Sequence, residues 1–341
     1  MKTILLNPNS KVLMNDAIFR PPNSTTDEAI FTMMNVLKRK FNKLGYDMHT
    51  IDMKNVESAD KILFVDNLML DNYRKLCTPL DNNYLILLEC PIINPWSYQT
   101  KTHNIFKKIF SWKLEGGKYI KTKIPQQIIR EAKYTVPFYK KKFLCIVNSN
   151  RIAVDKHELY SERARAIEYF QHRIDVYGAG WGKRGLSLMN MLHALKNMHK
   201  MDIKRASFLF KFFLKPVKVP NYKGTTPNLI ETLSKYRFCI CYENYDNNDE
   251  YVSEKIFNCL NARCVPVYLG YRDISKLVPK QCYIDRRKFS NYAELENYIA
   301  NMEEGEYQRY MTAINAFLNS RQAQQLSIPT FVDKVAAEIL A

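Results

Sequence analysis

The sequence predicts an α/β protein of two Rossmann-like domains that face each other across a ligand-binding cleft. Its 341 residues exceed the ~250–300 residues at which a single hydrophobic core stops growing. Short, continuous apolar runs alternate with amphipathic segments, a pattern typical of parallel strands covered by helices. A polar stretch at residues 122–139, which contains Pro125 and Pro137, separates two such series and predicts a linker. Ligands of such folds bind beyond the carboxyl ends of the strands.

The first series of elements predicts a domain over residues 1–139. The run Ile4-Leu5-Leu6 is too short for a signal peptide and predicts a buried strand. Apolar side chains recur at helical spacing over residues 27–44, which predicts a helix. Further strands are predicted from continuous apolar runs at residues 61–65, 84–89 and 108–112.

The second series predicts a domain over residues 140–325. Its strands are predicted at residues 143–148, 174–178, 238–242 and 265–270. The last of these contains Pro266, which is unusual in a central strand. Its helices are predicted at residues 158–170, 253–262, 292–302 and 307–318. A final helix, residues 329–340, lies in a C-terminal segment, 326–341, that we expect to pack back on the first domain.

The charge of the chain is strongly basic, with 51 Lys and Arg against 34 Asp and Glu and a net charge of +17. Such a surface attracts polyanions such as nucleic acid, anionic lipid or phosphorylated ligands. The lysines are spread along the chain and no nucleic-acid-binding module is recognisable, so we expect no nucleic-acid partner. Residues 208–215 mix aromatic side chains with lysines, which fits either contact with a membrane surface or a buried helix.

The cysteines and the lengths of the apolar runs indicate the cellular compartment of the protein. The eight cysteines form no CxxC pair, and several lie in apolar runs, so they indicate a reducing compartment and no disulfide framework. No stretch of ~18 apolar residues predicts a transmembrane helix. We expect a cytoplasmic protein that is at most peripheral to a membrane.

The residues that carry the chemistry lie between a predicted strand and a predicted helix. The strand ends in Glu243-Asn244, and after a polar loop Ser253, Glu254 and Lys255 open the helix. Ser253 suits the N-cap position, and a helix N-terminus attracts phosphate. Lys255 adds a positive charge, and Glu254 can accept hydrogen bonds from ribose hydroxyls. This pattern indicates a nucleotide diphosphate site; a capped helix with ordinary first-turn charge is the alternative.

This stretch resembles the signature of glycosyltransferase family 10, the alpha-1,3/1,4-fucosyltransferases, over roughly residues 143–310. The resemblance implies a GT-B fold, GDP-fucose as the donor bound by the second domain, and inversion at the anomeric carbon. The acceptor it implies is a GlcNAc- or glucose-type unit of a glycan. The motifs that carry it are Tyr236-Arg237-Phe238, Glu243-Asn244, Tyr251-Val252-Ser253-Glu254-Lys255 and Val265-Pro266-Val267, flanked by Ile174-Asp175-Val176-Tyr177-Gly178 and Tyr222-Lys223-Gly224.

The resemblance also implies roles for residues of the donor site. Lys255 contacts the diphosphate, Glu254 contacts ribose, and Asn244 and Tyr251 belong to the same pocket. A family arginine on the helix before Ile174 reaches the phosphates. We choose Arg163 for this role, with Arg165 as the alternative; a surface position on the helix is the other interpretation of either residue.

Glu89 is the predicted catalytic base. It ends an apolar strand and precedes Cys90-Pro91, with Pro95 four residues further on. The segment resembles a family motif whose glutamate takes the proton of the acceptor hydroxyl. A strand-end glutamate in a salt bridge is the alternative.

We expect neither a metal nor a cofactor apart from the nucleotide sugar as co-substrate. The acidic run at residues 246–250 lacks the glycine and glutamate of a calcium-binding EF-hand and predicts a solvated loop. The expected partners are a nucleotide-sugar donor and an oligosaccharide or glycoconjugate acceptor. Three alternatives remain open: another donor such as GDP-mannose, a donor-binding protein without catalysis, and a basic nucleic-acid-binding protein.

Overall fold

The computed structural model describes residues 2–8, 10–20, 28–66, 82–153, 155–181 and 219–341. Residues 208–215, with their aromatic and lysine side chains, lie outside the described part. The chain divides into two compact units. The first comprises Met1–Gln127, Asp249–Tyr251 and Gln324–Ala341, and the second comprises Ile128–Asn248 and Val252–Ala323.

Strands and helices alternate along both halves of the chain, as the sequence predicts. The strands are β1 Lys2–Asn7, β2 Tyr46–Thr50, β3 Lys61–Val65, β4 Asn83–Leu87, β5 Lys108–Ser111, β6 Tyr119–Lys121, β7 Lys142–Val147, β8 Ile174–Tyr177, β9 Tyr236–Asn247, β10 Val265–Tyr271 and β11 Ile284–Asp285. The helices are α1 Glu28–Lys43, α2 Tyr160–Phe170, α3 Leu229–Ser234, α4 Glu254–Asn261, α5 Tyr292–Ala300, α6 Glu304–Leu318, α7 Arg321–Gln325 and α8 Ile328–Leu340.

The first unit is built on a parallel sheet in the order β2-β1-β3-β4-β5-β6. Its central strands β3 and β4 are buried apart from Lys61 at the start of β3, which explains their continuous apolar sequence. Helices α1 and α8 pack on one face, where Phe41 and Val335 belong to the same core cluster. The hydroxyl of Tyr84 in β4 also donates to the carbonyl of Ile339 in α8 at 3.2 Å. The last helix of the chain is therefore part of the first unit.

The second unit is built on a parallel sheet in the order β11-β10-β9-β7-β8. Strand β9 is longer than predicted because buried polar residues after Tyr242 continue it as far as Asn247. Pro266 lies inside β10, and it is tolerated because the neighbouring β11 pairs only with Val267 and Tyr268. The missing N–H of Pro266 thus leaves no ladder bond to β11 unmade.

Among the described residues, no helix has the length and apolar character that crossing a membrane requires.

Candidate active site

The N-terminus of α4 is the centre of the candidate donor site in the second unit. Ser253 is its N-cap residue, and the Ser253 hydroxyl accepts the backbone N–H of Lys255 at 3.4 Å. The Lys255 ammonium in turn donates to the same hydroxyl at 3.0 Å. Lys255 therefore lies in the first turn, where it adds a positive charge to the positive end of the helix.

Glu243 anchors this helix terminus from the end of β9. Its side chain is fully buried, and its two carboxylate oxygens accept the backbone N–H of Ser253 at 2.9 Å and the Ser253 hydroxyl at 2.6 Å. The Lys255 ammonium lies 3.9 Å from the same carboxylate. Burial raises the pKa of the Glu243 carboxyl, whereas Lys255 and Ser253 act in the opposite direction. A buried carboxylate so enclosed fixes both the loop and the helix that follow it.

Gly270 in β10 leaves the space that the Glu243 side chain occupies. A Cβ atom at Gly270 would lie 2.4 Å from Cγ of Glu243 and 2.8 Å from the hydroxyl of Tyr268. Both neighbours are fully buried, so neither can move aside without disturbing the core. The glycine of the motif Val265-Pro266-Val267-Tyr268-Leu269-Gly270 is therefore a packing requirement of the site.

Arg163 in α2 is buried beneath the end of β9. Its guanidinium donates to the carbonyls of Tyr242 and Glu243, each at 2.7 Å, and to the side-chain oxygen of Asn244 at 3.1 Å. The structure thus brings Arg163 and Asn244 together and rejects a surface position for Arg163. Arg165 is exposed and pairs with Glu162.

The other predicted donor-site residues lie in different surroundings. The Glu254 carboxylate is partly exposed in the first turn of α4, 3.6 Å from the Lys255 ammonium. Tyr251 belongs to the first unit, where its buried ring packs against Trp112 with the ring centroids 5.1 Å apart.

The acidic segment before Tyr251 is not the solvated loop that the sequence predicts. Asp249 forms an ion pair with Lys113, and the Glu250 carboxylate lies 2.5 Å from the Lys123 ammonium and 3.5 Å from that of Lys121. The prediction was wrong because these three lysines lie more than a hundred residues earlier in the chain.

Glu89, the predicted base, lies just after β4 in the first unit, and hydrogen bonds to its backbone groups hold it in place. Its N–H donates to both carboxylate oxygens of Asp66 at 3.1 Å, and its carbonyl accepts the hydroxyl of Tyr98 at 2.6 Å. Asp66 follows β3, is 1% exposed and also accepts the N–H of Leu88 at 2.8 Å. Burial, followed by the charge of Glu89, raises the pKa of the Asp66 carboxyl to about 7.

Sequence reasoning missed Glu243 and Gly270 beside the N-terminus of α4, and it missed Asp66 beside the backbone of Glu89. Glu243 stands in the Glu-Asn motif, but its neighbour Asn244 was chosen for the donor pocket. Asp66 directly follows an apolar run, and a polar residue at the carboxyl end of a predicted strand was the available signal.

The family comparison matches the second half of the chain. The model described as glycosyltransferase family 10 (fucosyltransferase) C-term matches residues 138–326, which is more than half of the chain. This range contains both Glu243 and Lys255.

Curated relatives match over shorter stretches. An alpha-(1,4)-fucosyltransferase of Arabidopsis thaliana is 34% identical over 70 residues, which are 20% of this chain and 17% of that protein. Alpha-(1,3)-fucosyltransferase 7 of Homo sapiens is 34% identical over 85 residues, 24% of this chain and 25% of that protein. The matches thus span a quarter or less of these relatives.

Solved structures share the fold along the whole chain. The alignment with a crystal structure of an alpha1,3-fucosyltransferase covers 100% of this chain and 91% of the fucosyltransferase chain, at 14% identity and a TM-score of 0.52. The T4 phage beta-glucosyltransferase covers 99% of each chain, at 13% identity and a TM-score of 0.56. These neighbours confirm the predicted GT-B fold. The family match, which covers more than half of the chain, shows that the chain belongs to glycosyltransferase family 10, the fucosyltransferase family.

Proposed function

We propose that this protein transfers L-fucose from GDP-fucose, with inversion at the anomeric carbon, to a hydroxyl of a GlcNAc- or glucose-type unit of a glycan. The observation that carries the proposal is the ordered N-terminus of α4, where Ser253 and Glu243 hold Lys255. The site lies in the part of the chain that the family match covers.

The donor is held by cations and polar groups of the second unit. Lys255 and the N–H groups at the start of α4 bind the diphosphate, and Glu254 accepts hydrogen bonds from the ribose hydroxyls. Arg163 binds the diphosphate beside Asn244 and adds a buried positive charge to the site. Tyr251, a residue of the first unit, is the further donor contact that the family resemblance implies. No metal or further cofactor takes part in this proposal.

Glu89 acts as the catalytic base in the proposed reaction. Its carboxylate takes the proton of the acceptor hydroxyl while the hydroxyl oxygen forms a bond with the anomeric carbon of fucose. The bond between that carbon and the diphosphate oxygen breaks at the same time, and its electron pair leaves with GDP. Lys255, Arg163 and the α4 terminus stabilise the negative charge that grows on the leaving group.

Thermal melting with nucleotides tests the donor site. Ligand that binds only the folded protein raises stability by about 2.7 kcal/mol at about 100 times its Kd. We expect GDP and GDP-fucose to raise the Tm, and UDP to leave it unchanged. Lys255→Ala removes a charge-assisted contact of about 1.5–3 kcal/mol and should weaken GDP binding by about 10- to 100-fold.

Lys288→Ala is the matched control, because it removes the same charge from an exposed position in the same unit. It should bind GDP like the wild type. Equal losses in the two variants would show that the overall charge, rather than this site, binds the nucleotide. A Tm rise with UDP instead of GDP would contradict the proposed donor.

Transfer itself is tested with labelled GDP-fucose and a set of acceptors that includes a 4-galactosyl-N-acetylglucosaminide, the acceptor named for some relatives. The expected product is a fucosylated acceptor with inverted anomeric configuration. Transfer from GDP-mannose, with none from GDP-fucose, would replace fucose by mannose in the proposal. GDP binding without turnover on any acceptor would favour a donor-binding protein without catalysis.

A further inference from the structure

Asp66 is a buried carboxylate that the proposed reaction does not use directly. It lies at the end of β3, next to the end of β4, and only 1% of its surface is exposed. Its backbone adopts φ +42°, in the left-handed region that residues other than glycine seldom occupy. Such strain persists where surrounding contacts enforce it, and it is concentrated at functional sites.

The contacts of Asp66 fix the backbone at Glu89. One Asp66 oxygen accepts the N–H of Leu88 at 2.8 Å, and both oxygens accept the N–H of Glu89 at 3.1 Å. The hydroxyl of Tyr98 donates to the carbonyl of Glu89 at 2.6 Å. The peptide groups on both sides of the Glu89 Cα atom are therefore held, which sets the direction in which its side chain leaves the backbone.

The charge of Asp66 needs an explanation beyond hydrogen bonding. A neutral serine or asparagine can also accept backbone N–H groups, without the cost of burying a carboxylate. Among the described residues, the charge that acts on Asp66 is that of Glu89, which has the same sign. Two like charges so coupled each favour the protonated form of the other. Burial and the like charge of Glu89 raise the pKa of the Asp66 carboxyl, so a carboxylate here is costly and its presence points to a role in holding Glu89.

We propose that Asp66 is the positioning residue for the catalytic base: it orients Glu89 through the backbone N–H groups of residues 88 and 89. This inference rests on the proposed function, in which Glu89 takes the acceptor proton. It assigns Asp66 no contact with donor or acceptor.

A double-mutant cycle on fucose transfer tests the positioning role, with GDP-fucose and the 4-galactosyl-N-acetylglucosaminide acceptor. Glu89→Gln should lower kcat by about 100- to 10,000-fold, as expected for loss of a general base. Asp66→Asn keeps one oxygen acceptor and removes the charge, so it should lower kcat by about 10- to 100-fold and leave the KM for GDP-fucose unchanged. Asp66→Asn should have no further effect in the Glu89→Gln background.

The outcomes separate the two proposals. If Asp66→Asn lowers kcat equally in both backgrounds, Asp66 is merely structural and the inference is overturned, while the fucosyltransferase proposal stands. If Glu89→Gln keeps wild-type activity, Glu89 is not the base, and the positioning role of Asp66 is overturned with it. Asp66→Ala, which also removes the oxygen acceptors, should lower kcat further than Asp66→Asn; equal losses would contradict the orienting role.

A carboxyl titration followed by NMR tests the coupling without any acceptor. Protein labelled at the aspartate side-chain carboxyl carbon should show one signal, absent in Asp66→Asn, that titrates with a pKa of about 7. Glu89→Gln removes the like charge and should lower this pKa. An unchanged pKa of Asp66 in Glu89→Gln would show that the two carboxylates do not interact, and it would contradict the inference that Asp66 lies against Glu89.

Discussion

Glu243 orders the proposed donor site through contacts with a residue ten positions later in the sequence. Its carboxylate accepts both the N–H and the hydroxyl of Ser253, and Ser253 in turn holds Lys255. Because Glu243 is fully buried, its hydrogen bonds are protected from water, and losing one leaves a buried polar group unpaired. The position of Lys255 therefore depends on how tightly Glu243 is packed.

A methyl group at Gly270 tests this dependence. Gly270→Ala places a Cβ atom 2.4 Å from Cγ of Glu243 in a packed core, so it should lower the free energy of unfolding by about 1–3 kcal/mol. The displaced Glu243 carboxylate should also weaken GDP binding. Denaturant unfolding and calorimetric titration with GDP measure the two effects.

Gly305→Ala is the control for that substitution. No atom lies within 4 Å of a Cβ at Gly305 in α6, so the change should be neutral or stabilise the helix by about 0.5–1 kcal/mol. GDP binding should remain unchanged. If Gly270→Ala binds GDP as tightly as Gly305→Ala does, the packing of Glu243 does not control the donor site.

At the residue scale, the sequence predicts the role of a residue within a local motif more readily than its contacts with residues distant in the chain. The motif around Ser253 identified Lys255 as a first-turn cation, because capping depends on local sequence. The role of Asp66 depends on the pairing of β3 with β4. That pairing is formed by the fold and is absent from any short stretch of sequence.

At the scale of elements, the strands that the sequence predicts most clearly are the buried ones. Strand β4 is buried throughout, strand β3 is buried after Lys61, and both have continuous apolar sequences. The strands β2, β6 and β11 were not predicted, and each lies at the edge of its sheet; of the edge strands, β8 was predicted. An edge strand pairs on one side only and is less completely covered, so its sequence carries a weaker apolar pattern.

Helix α8 offers a test of what one element contributes to the first unit. Ile339 is 1% exposed and packs in the core shared with α1, whereas Leu340, the next residue, is 38% exposed. Ile339→Ala should lower the free energy of unfolding by about 2–5 kcal/mol, because it leaves a cavity in the core. Leu340→Ala removes an exposed side chain and should cost about 0.5 kcal/mol or less.

Denaturant unfolding of the two variants measures the difference. Both residues belong to the first unit, so GDP binding should be the same in both variants at low temperature. Equal destabilisation by the two variants would mean that α8 contributes through helix formation alone rather than through packing against α1.

At the scale of the whole molecule, the two units are not two consecutive stretches of chain. Asp249–Tyr251 interrupts the second unit in sequence and belongs to the first. Ion pairs with Lys113 and Lys123 hold this segment. No apolar run marks such a segment, because long-range charge pairing leaves no periodic pattern in the sequence.

Some of the lysines and arginines that give the chain its net charge of +17 are buried in the interior of the protein. Arg163 donates to carbonyls at the end of β9, and the buried ammonium of Lys141 donates to the carbonyls of Ser234 at 2.7 Å and Arg263 at 3.0 Å. The Arg263 guanidinium donates to the carbonyls of Ile129 and Asn261, each at 3.0 Å. These three cations are buried, and they donate mainly to backbone oxygens, with Asn244 and Asn315 as side-chain acceptors. The basic composition therefore overstates the charge that a nucleic acid would meet.

Binding to random-sequence single-stranded DNA separates the enzyme proposal from the nucleic-acid alternative. We expect weak binding at about 20 mM NaCl that is lost by about 150 mM, because contacts with phosphates release counterions and weaken steeply with salt. GDP binding, which involves few charges in a fixed site, should persist at the higher salt concentration. Fluorescence anisotropy with labelled DNA and melting with GDP, both in the same two buffers, measure the contrast. Submicromolar DNA binding at about 150 mM NaCl that GDP does not displace would favour the nucleic-acid-binding protein, because dispersed surface lysines do not form so tight a complex.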